Sequence, residues 1–196
     1  MNIQKSLPKN FYKAAAELYD EAFGKKFALA VPDKAKRIAL LEKCFISEFA
    51  ITAYSEGKLV GLAGFKTNSG SLTGRMNFYS IIRELGVFSG LWAALVFSFY
   101  ERKPQSGQLL MDGIAVSSNC RGSGIGGTLL DEIIKFGIEG GYKEIRLDVI
   151  DTNPKAKKLY ARKKFVERHT DKFPYLTWFL GFSASTTMIL TIDNDT

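Results

Sequence analysis

The sequence predicts an α/β fold, a sheet flanked by helices, and three stretches predict it. Residues 108–138 run as a strand candidate, a glycine-dense loop and an amphipathic helical pattern. Residues 144–150 alternate like a strand, with Ile145, Leu147 and Val149 on one face, and lead into a helix start at Asn153-Pro154. Residues 49–54 and 58–65 flank Ser55-Glu56-Gly57 as the arms of a hairpin. No repeat or low-complexity linker divides the chain, so its 196 residues are expected to form a single domain over 1–196.

Ahead of the hairpin, Phe11, Ala15, Leu18 and Ala22 recur at spacings of three and four, which predicts a helix over 9–23 with Gly24 as its stop. A second helix is expected over about 33–44, with Ile38, Leu41 and Phe45 on one side. Residues 68–71, Asn-Ser-Gly-Ser, form a loop before an apolar insertion at about 76–103, whose core at 85–100 carries no charge. That core, roughly 16 residues long, falls short of the ~20 that span a bilayer. Flanked by Arg83-Glu84 and Glu101-Arg102-Lys103, it is expected to form a buried or half-buried helix on the domain, with contact to a membrane surface or a partner as the alternative. Residues 108–116 are the next strand candidate. Residues 128–138 then form a helix with Leu129, Leu130, Ile133, Ile134 and Ile138 inward, closed by Gly140-Gly141. After 153 the helical spacing includes Ala156, Leu159, Tyr160 and Lys163. Two closing strands, 165–169 and 185–192, are joined by an aromatic loop carrying Phe173, Tyr175, Trp178, Phe179 and Phe182.

Composition excludes several function classes. Cys44 and Cys120 are far apart and the sole histidine is His169, which argues against a zinc site, a disulfide framework or a histidine triad. No signal-peptide core follows the first lysine, so a cytoplasmic protein is expected. The net charge of +7 invites a nucleic-acid reading, but its one cluster (Lys155, Lys157, Lys158, Arg162, Lys163, Lys164) has the spacing of a solvated helix face. No nucleic-acid partner and no stable membrane insertion are expected.

The loop Arg121-Gly-Ser-Gly-Ile-Gly-Gly127 lies between a strand and a helix. Glycines let the backbone approach a ligand, and the unbonded N–H groups of the opening helical turn point at negative charge. A phosphorylated ligand is therefore expected here. Gly122 to Gly127 also satisfies GxGxxG, with Asp148 about 20 residues on, as in a dinucleotide site. However, residues 117–121 separate strand from glycine, and about 45 residues after Asp151 are too few for the rest of that fold. Gly-Lys-Ser/Thr is absent, so a P-loop is excluded.

Arg121-x-x-Gly124-x-Gly126 after Ile114-Ala115-Val116, together with Asn153 to Tyr160 after the next strand, resembles the GCN5-related N-acetyltransferase (GNAT) family. The resemblance covers 110–166 by motif and extends to the N-terminal helices and hairpin by element order. It implies the GNAT fold, a central mixed, mostly antiparallel twisted sheet of about seven strands flanked by helices, here with a helical insertion. The acetyl-CoA-binding core would span about 108–170. It implies acetyl-CoA as co-substrate, no metal, and direct acetyl transfer to a primary amine of a small molecule or peptide. A catalytically silent acyl-CoA-binding sensor or interaction module is the alternative.

By this resemblance the main chain of Arg121, Gly122, Ser123, Gly124, Ile125 and Gly126 holds the pyrophosphate, with the Arg121 side chain bracing the loop. The main chain of Ile114, Ala115 and Val116 pairs with the pantetheine arm. Asn153 positions that arm, caps its helix, or does both. Tyr160 contacts the cofactor and protonates the departing sulfur; the alternative is an aromatic packed on Ala156 and Leu159. Asp112, two residues before Ile114 and so expected on the face of Ile114 and Val116, serves as base or as a plain surface carboxylate. Glu56, Glu101 and Asp148 are weaker acidic candidates. The chain departs from the family at Lys164, where a glycine is usual before the phenylalanine. Residues 185–192 and the insertion each offer a face for a homodimer.

Overall fold

A computed structural model describes residues 1–98, 101–174, 177 and 181–192. The chain begins with strand β1 (Asn2–Gln4) and continues through helices α1 (Tyr12–Phe27) and α2 (Lys34–Cys44) to strands β2 (Ala50–Ser55), β3 (Lys58–Thr67) and β4 (Gly70–Ser71). Helices α3 (Phe78–Leu85) and α4 (Val87–Ser98) follow, then β5 (Gln108–Val116), α5 (Ile125–Glu139), β6 (Glu144–Ile150), α6 (Pro154–Arg162), β7 (Val166–Lys172) and β8 (Ala184–Thr191). The strands make one sheet in the order β1-β2-β3-β5-β6-β8-β7, with β4 paired to β3. Every pairing is antiparallel except β5 with β6. The expected mixed, mostly antiparallel sheet is present. Among the described residues it has eight strands, of which the short β1 and β4 were not indicated by sequence spacing.

Alternation along β3 and β5 assigns the two faces. A Cβ on Gly61 would meet Ile125 and Leu129 of α5 at 2.9 Å, whereas a Cβ on Gly113, which pairs with Gly64, would meet Phe23 of α1 at 2.6 Å. Positions 61 and 64 point to opposite faces of a strand, so α1 covers one side of the sheet and α5 the other. The core is continuous through the sheet, with Phe45, Phe65, Leu62, Leu109, Leu129 and Ile133 almost fully buried.

Local chemistry explains most boundaries. Asp33 caps α2 by accepting from the Lys36 N–H at 2.9 Å. Glu56 (φ 51°) and Gly57 (φ 74°) form the two-residue hairpin turn that pairs Ser55 with Lys58. Three expectations are corrected. The helix expected to stop at Gly24 runs on to Phe27, because Gly24 makes room for the buried Asp20 carboxylate, which a Cβ would approach to 2.7 Å. The insertion is two helices, broken at Gly86 (φ 80°), and α3 opens with a reciprocal capping box between Asn77 and Ser80. Ile138, expected inward, is 55% exposed, since the last turn of α5 faces the sheet through Gly137 instead, where a Cβ would meet Ile145 at 2.9 Å.

Lys164 occupies the left-handed region (φ 67°) where the chain leaves α6, which accounts for the glycine usual there in the family. A side chain in that region costs roughly 1–2 kcal/mol, partly offset by the ~0.5–1 kcal/mol that glycine loses on folding. Lys164→Gly should raise stability by roughly 0.5–1 kcal/mol, about 2–3 °C in Tm, by thermal denaturation.

Candidate active site

The site is set by how β5 leaves β6. The two strands are paired only where Gln108, Leu109 and Leu110 meet Glu144, Ile145 and Arg146, after which β6 goes on with β8 as far as Ile150 and β5 goes on with β3 as far as Val116. At the parting point β5 carries a bulge: Gly113 pairs with Gly64 and Met111 with Phe65, so Asp112 has no opposite residue. Ser117 N–H donates to Val60 O at 3.0 Å, toward β3. By strand alternation the peptide groups of Ala115 face the same way, and those of Ile114 and Val116 face the opening.

The bulge corrects the expected orientation of Asp112. Its Cβ lies 3.6 Å from where a Gly64 Cβ would stand, on the α1 face, and its charge acts on Tyr19 of α1. Ile114 and Val116 pair with Ala63 and Gly61 on the α5 face. The extra residue turns Asp112 away from them. Its carboxylate is exposed, whereas the Tyr19 phenol is buried, and burial together with the Asp112 charge holds that phenol protonated.

The glycine loop makes a tight turn into α5. A 3-10 turn at Ser118–Cys120 leads into Gly122 (φ 85°) and Gly124 (φ 87°), both in the left-handed region, and Gly124 is the N-cap of α5. Helix α5 starts at Ile125, three residues before the expected start. Thr128 N–H bonds back to Gly124 O at 3.0 Å, while the N–H groups ahead of it belong to the turn a helix cannot satisfy itself. Ser123 Oγ donates to Cys120 O at 2.6 Å, tightening the loop.

Packing does not account for Gly126 and Gly127. A Cβ on Gly126 would come no closer than 3.8 Å to Val116, and one on Gly127 no closer than 3.9 Å to Leu159. Both leave open space beside the free N–H groups, which fits a phosphate approached closely by backbone.

Arg121 braces this loop. Its Nε donates to Val116 O at 3.1 Å and its Nη2 to Glu21 Oε1 at 2.7 Å, and the same Glu21 oxygen accepts the Ser118 N–H at 3.2 Å. Glu21, on α1, is a site-organising residue that no sequence pattern revealed, because its partners lie about a hundred positions away.

On the far side of the opening, Asn153 accepts from the Ala156 N–H at 3.2 Å and so caps α6, with Pro154 in its first turn. Helix α6 lies beside α5: Leu159 is the nearest neighbour to a Gly127 Cβ, and Lys163 Nζ reaches Asp131 at 2.6 Å. Tyr160 is 8% exposed, its ring 6.1 Å from that of Phe165, and burial pushes its phenol up to about 12.

The weaker candidates are dispersed. Glu56 sits in the hairpin turn, and Asp148 accepts from Thr187 at 2.6 Å and lies 3.3 Å from Arg146. Within the aromatic loop, the Phe173 and Phe182 rings are edge-on at 6.2 Å, whereas Tyr175, Trp178 and Phe179, like Tyr100, lie outside the described residues. Two cations of the basic cluster pair with carboxylates, Lys157 with Glu167 and Lys163 with Asp131. His169 lies on the exposed β7, 2.9 Å from Asp171. No group of His, Cys, Asp and Glu among the described residues converges as for a metal, and none of their helices is long and apolar enough to cross a membrane.

Strands that part beside a glycine-built helix N-terminus suit a ligand with an extended arm and an anionic end. The profile of the Acetyltransferase (GNAT) family matches residues 12–165, and the chain belongs to that family, the acetyl-CoA-dependent N-acetyltransferases. No curated protein sequence matches it significantly. Among solved structures it is similar to the ribosomal-protein-alanine N-acetyltransferase of Brucella melitensis (19% identity, 98% of this chain and 100% of that one, TM-score 0.63). It is also similar to an N-acetyltransferase of Staphylococcus aureus (14% identity, 97% and 100%, TM-score 0.67). A third such structure is yncA of Salmonella typhimurium with its cofactor acetyl-CoA (15% identity, 100% and 96%, TM-score 0.62). At these identities the likeness shows the shared fold.

Proposed function

We propose that this protein transfers acetyl directly from acetyl-CoA to a primary amine of a small molecule or peptide, with Tyr160 as acid and Asp112 as base. The observation that carries the proposal is the parting of β5 from β6 at Leu110 and Arg146, with the bulged Asp112 at its mouth and Tyr160 on the helix across it. Acetyl-CoA supplies an activated thioester whose sulfur leaves as the amine attacks. The N–H groups of residues 121–126 bind its diphosphate, and the backbone of Ile114 and Val116, on either side of Ala115, orients its arm along the free edge of β5. Asn153 positions the arm from the α6 side. Asp112, exposed and aimed to the α1 face, takes the proton that an ammonium acceptor must lose, and Tyr160 holds one for the departing sulfur.

The chain acts as one acetyltransferase domain over 1–196, with 76–103 as its insertion. A reducing cytoplasm suits Cys44, a buried free thiol. Two solved neighbours are named as ribosomal-protein-alanine N-acetyltransferases, which keeps peptide amines beside small amines as acceptors to test.

The test is CoA release from acetyl-CoA against a panel of small and N-terminal peptide amines. Release that depends on a panel amine, with acetyl-amine product, supports the proposal; tight acetyl-CoA binding with no product from any amine points to the sensor alternative. Asp112→Asn should lower the rate at least about tenfold near neutral pH and lose part of that deficit as pH rises and the amine deprotonates unaided. An unchanged rate at every pH removes Asp112 from the mechanism.

A separate measurement locates the donor site. Cys44 is 1% exposed and burial pushes its thiol up to about 12, whereas Cys120 is partly exposed at the start of the glycine loop. A thiol reagent should titrate one cysteine in the native protein and two after denaturation, and saturating acetyl-CoA should slow the first. No protection would place the cofactor elsewhere.

A further inference from the structure

The insertion exposes an apolar surface that acetyl transfer does not use. Helix α4 has no charged residue, and it divides into two stripes. Gly90 is buried against Ile82 of α3, Ala93 and Val96 share a buried cluster with Leu40 and Cys44 of α2 and with Ala30 and Val31 just before it, and the ring of Phe97 lies 5.6 Å from that of Phe27. Val87, Phe88, Leu91, Trp92 and Leu95 recur at 87, 88, 91, 92 and 95 on the outer side, between 45% and 91% exposed. Phe78 and Tyr79 of α3 add 57% and 83%. A ring 91% exposed, as Phe88 is, stands clear of its own helix neighbours, and it sits beside the Gly86 turn at the tip of the helix pair. Trp92 is pinned, its indole N–H donating to Leu29 O at 3.0 Å. A helix apolar all round, as α4 is, has a place inside a core or against lipid.

Charge selects what covers this surface. Between Arg75 and Lys103 the sequence holds four cations, Arg75, Arg83, Arg102 and Lys103, against two carboxylates, Glu84 and Glu101, although Arg102 pairs with Asp148 of β6 at 4.0 Å. Glu84 is itself engaged by Lys43 and Arg83, which hold its carboxyl below the usual range. A cleft of about 320 Å³ opens between α2 and α3, lined by Lys43, Arg75 and Arg83 around that one carboxylate, with Tyr79 at its rim. Tyr79 therefore belongs both to the apolar surface and to a cationic cleft. A face with aromatic and aliphatic residues projecting at its centre and cations at its edge is complementary to a bilayer whose headgroups are anionic.

We propose that the outer face of α3 and α4 docks the protein reversibly on an anionic membrane surface, with Phe88, Tyr79, Leu91 and Trp92 entering the interface and the Lys43–Arg75–Arg83 cleft taking lipid phosphate. This reaches beyond acetyl transfer and is independent of it: Phe88 and Arg83 lie outside the donor site. The experiment is flotation of the full chain with vesicles of phosphatidylcholine alone or with about one third phosphatidylglycerol, at 0.1 M and 0.5 M salt.

Binding is expected to the anionic vesicles, at least about tenfold weaker to phosphatidylcholine alone. It should weaken at the higher salt as the screening length shrinks from about 10 Å. Phe88→Asp and Arg83→Glu should each reduce vesicle binding about tenfold or more, while thermal stability and CoA release in solution stay unchanged. No binding to anionic vesicles, or binding indifferent to both substitutions, overturns the proposal. So does a dimer, seen by sedimentation velocity, that Phe88→Asp dissociates, since a second copy would then cover this face.

Discussion

Tyr160→Phe is expected to lower kcat about 100-fold while changing the KM for acetyl-CoA by less than about threefold, the loss typical when a positioned proton donor is removed. The phenylalanine keeps the ring that packs near Phe165 and gives up only the hydroxyl, so the fold should tolerate the change within about 1 kcal/mol. The pH dependence distinguishes a proton donor from a packed ring. Burial pushes the Tyr160 phenol up to about 12, which means that its proton is present at every ordinary assay pH. The wild-type rate should therefore rise as the acceptor amine deprotonates and then stay level, with no falling limb from Tyr160 until the pH approaches that value. In the variant the rise should persist at a lower plateau, and acceptors should matter less than the leaving group. Thioesters of more acidic thiols, which leave without help, should recover most of the loss. If kcat and its pH profile match the wild type in a folded variant, Tyr160 is a packing residue and the acid must be sought elsewhere.

The elements around the candidate donor site were legible in the sequence because they depend on local chemistry. Residues 108–116 and 144–150 form strands at the expected limits, and Asn153-Pro154 opens α6, since alternation and capping are properties of neighbours in the chain. The glycine loop was legible for the same reason. What the sequence concealed depends on distant partners. The bulge at Asp112 follows from the pairing of Gly113 with Gly64 and the approach of Phe23, and without it strand alternation puts Asp112 on the wrong face. Glu21 looks like an ordinary helix-surface carboxylate until the fold brings Ser118 and Arg121 to it. Gly24 has the form of a helix stop, and only the buried Asp20 carboxylate shows why a glycine stands within the helix. The apolar core of the insertion was legible, but its outward exposure was not, because composition alone does not tell a buried helix from one left uncovered.

Asp20→Ala is expected to destabilise the protein by about 3–5 kcal/mol, the cost of leaving a buried charge without its partner. Asp20 and Arg37 join α1 to α2 through Nε to Oδ1 at 2.7 Å and Nη2 to Oδ2 at 3.4 Å, with side chains only 3% and 9% exposed. Arg37 Nη1 also donates to Val31 O and Pro32 O at 2.8 Å, so the guanidinium holds the turn between the helices as well. Alanine leaves those carbonyls bonded but strands the positive charge, and Tm should fall by roughly 10 °C. The double variant Asp20→Leu with Arg37→Met should regain most of that, because two apolar groups of similar volume remove the charge rather than orphan it. The effect should also reach the donor site. Asp20 lies between Tyr19, which faces Asp112, and Glu21, which holds Ser118 and Arg121. Loosening α1 should therefore raise the KM for acetyl-CoA more than an equally destabilising truncation in an element that does not build the donor site, such as Met188→Ala in β8. A loss below about 1 kcal/mol would show that the pair is not held away from water. A full loss of stability with an unchanged KM would show that α1 secures the fold without bracing the loop.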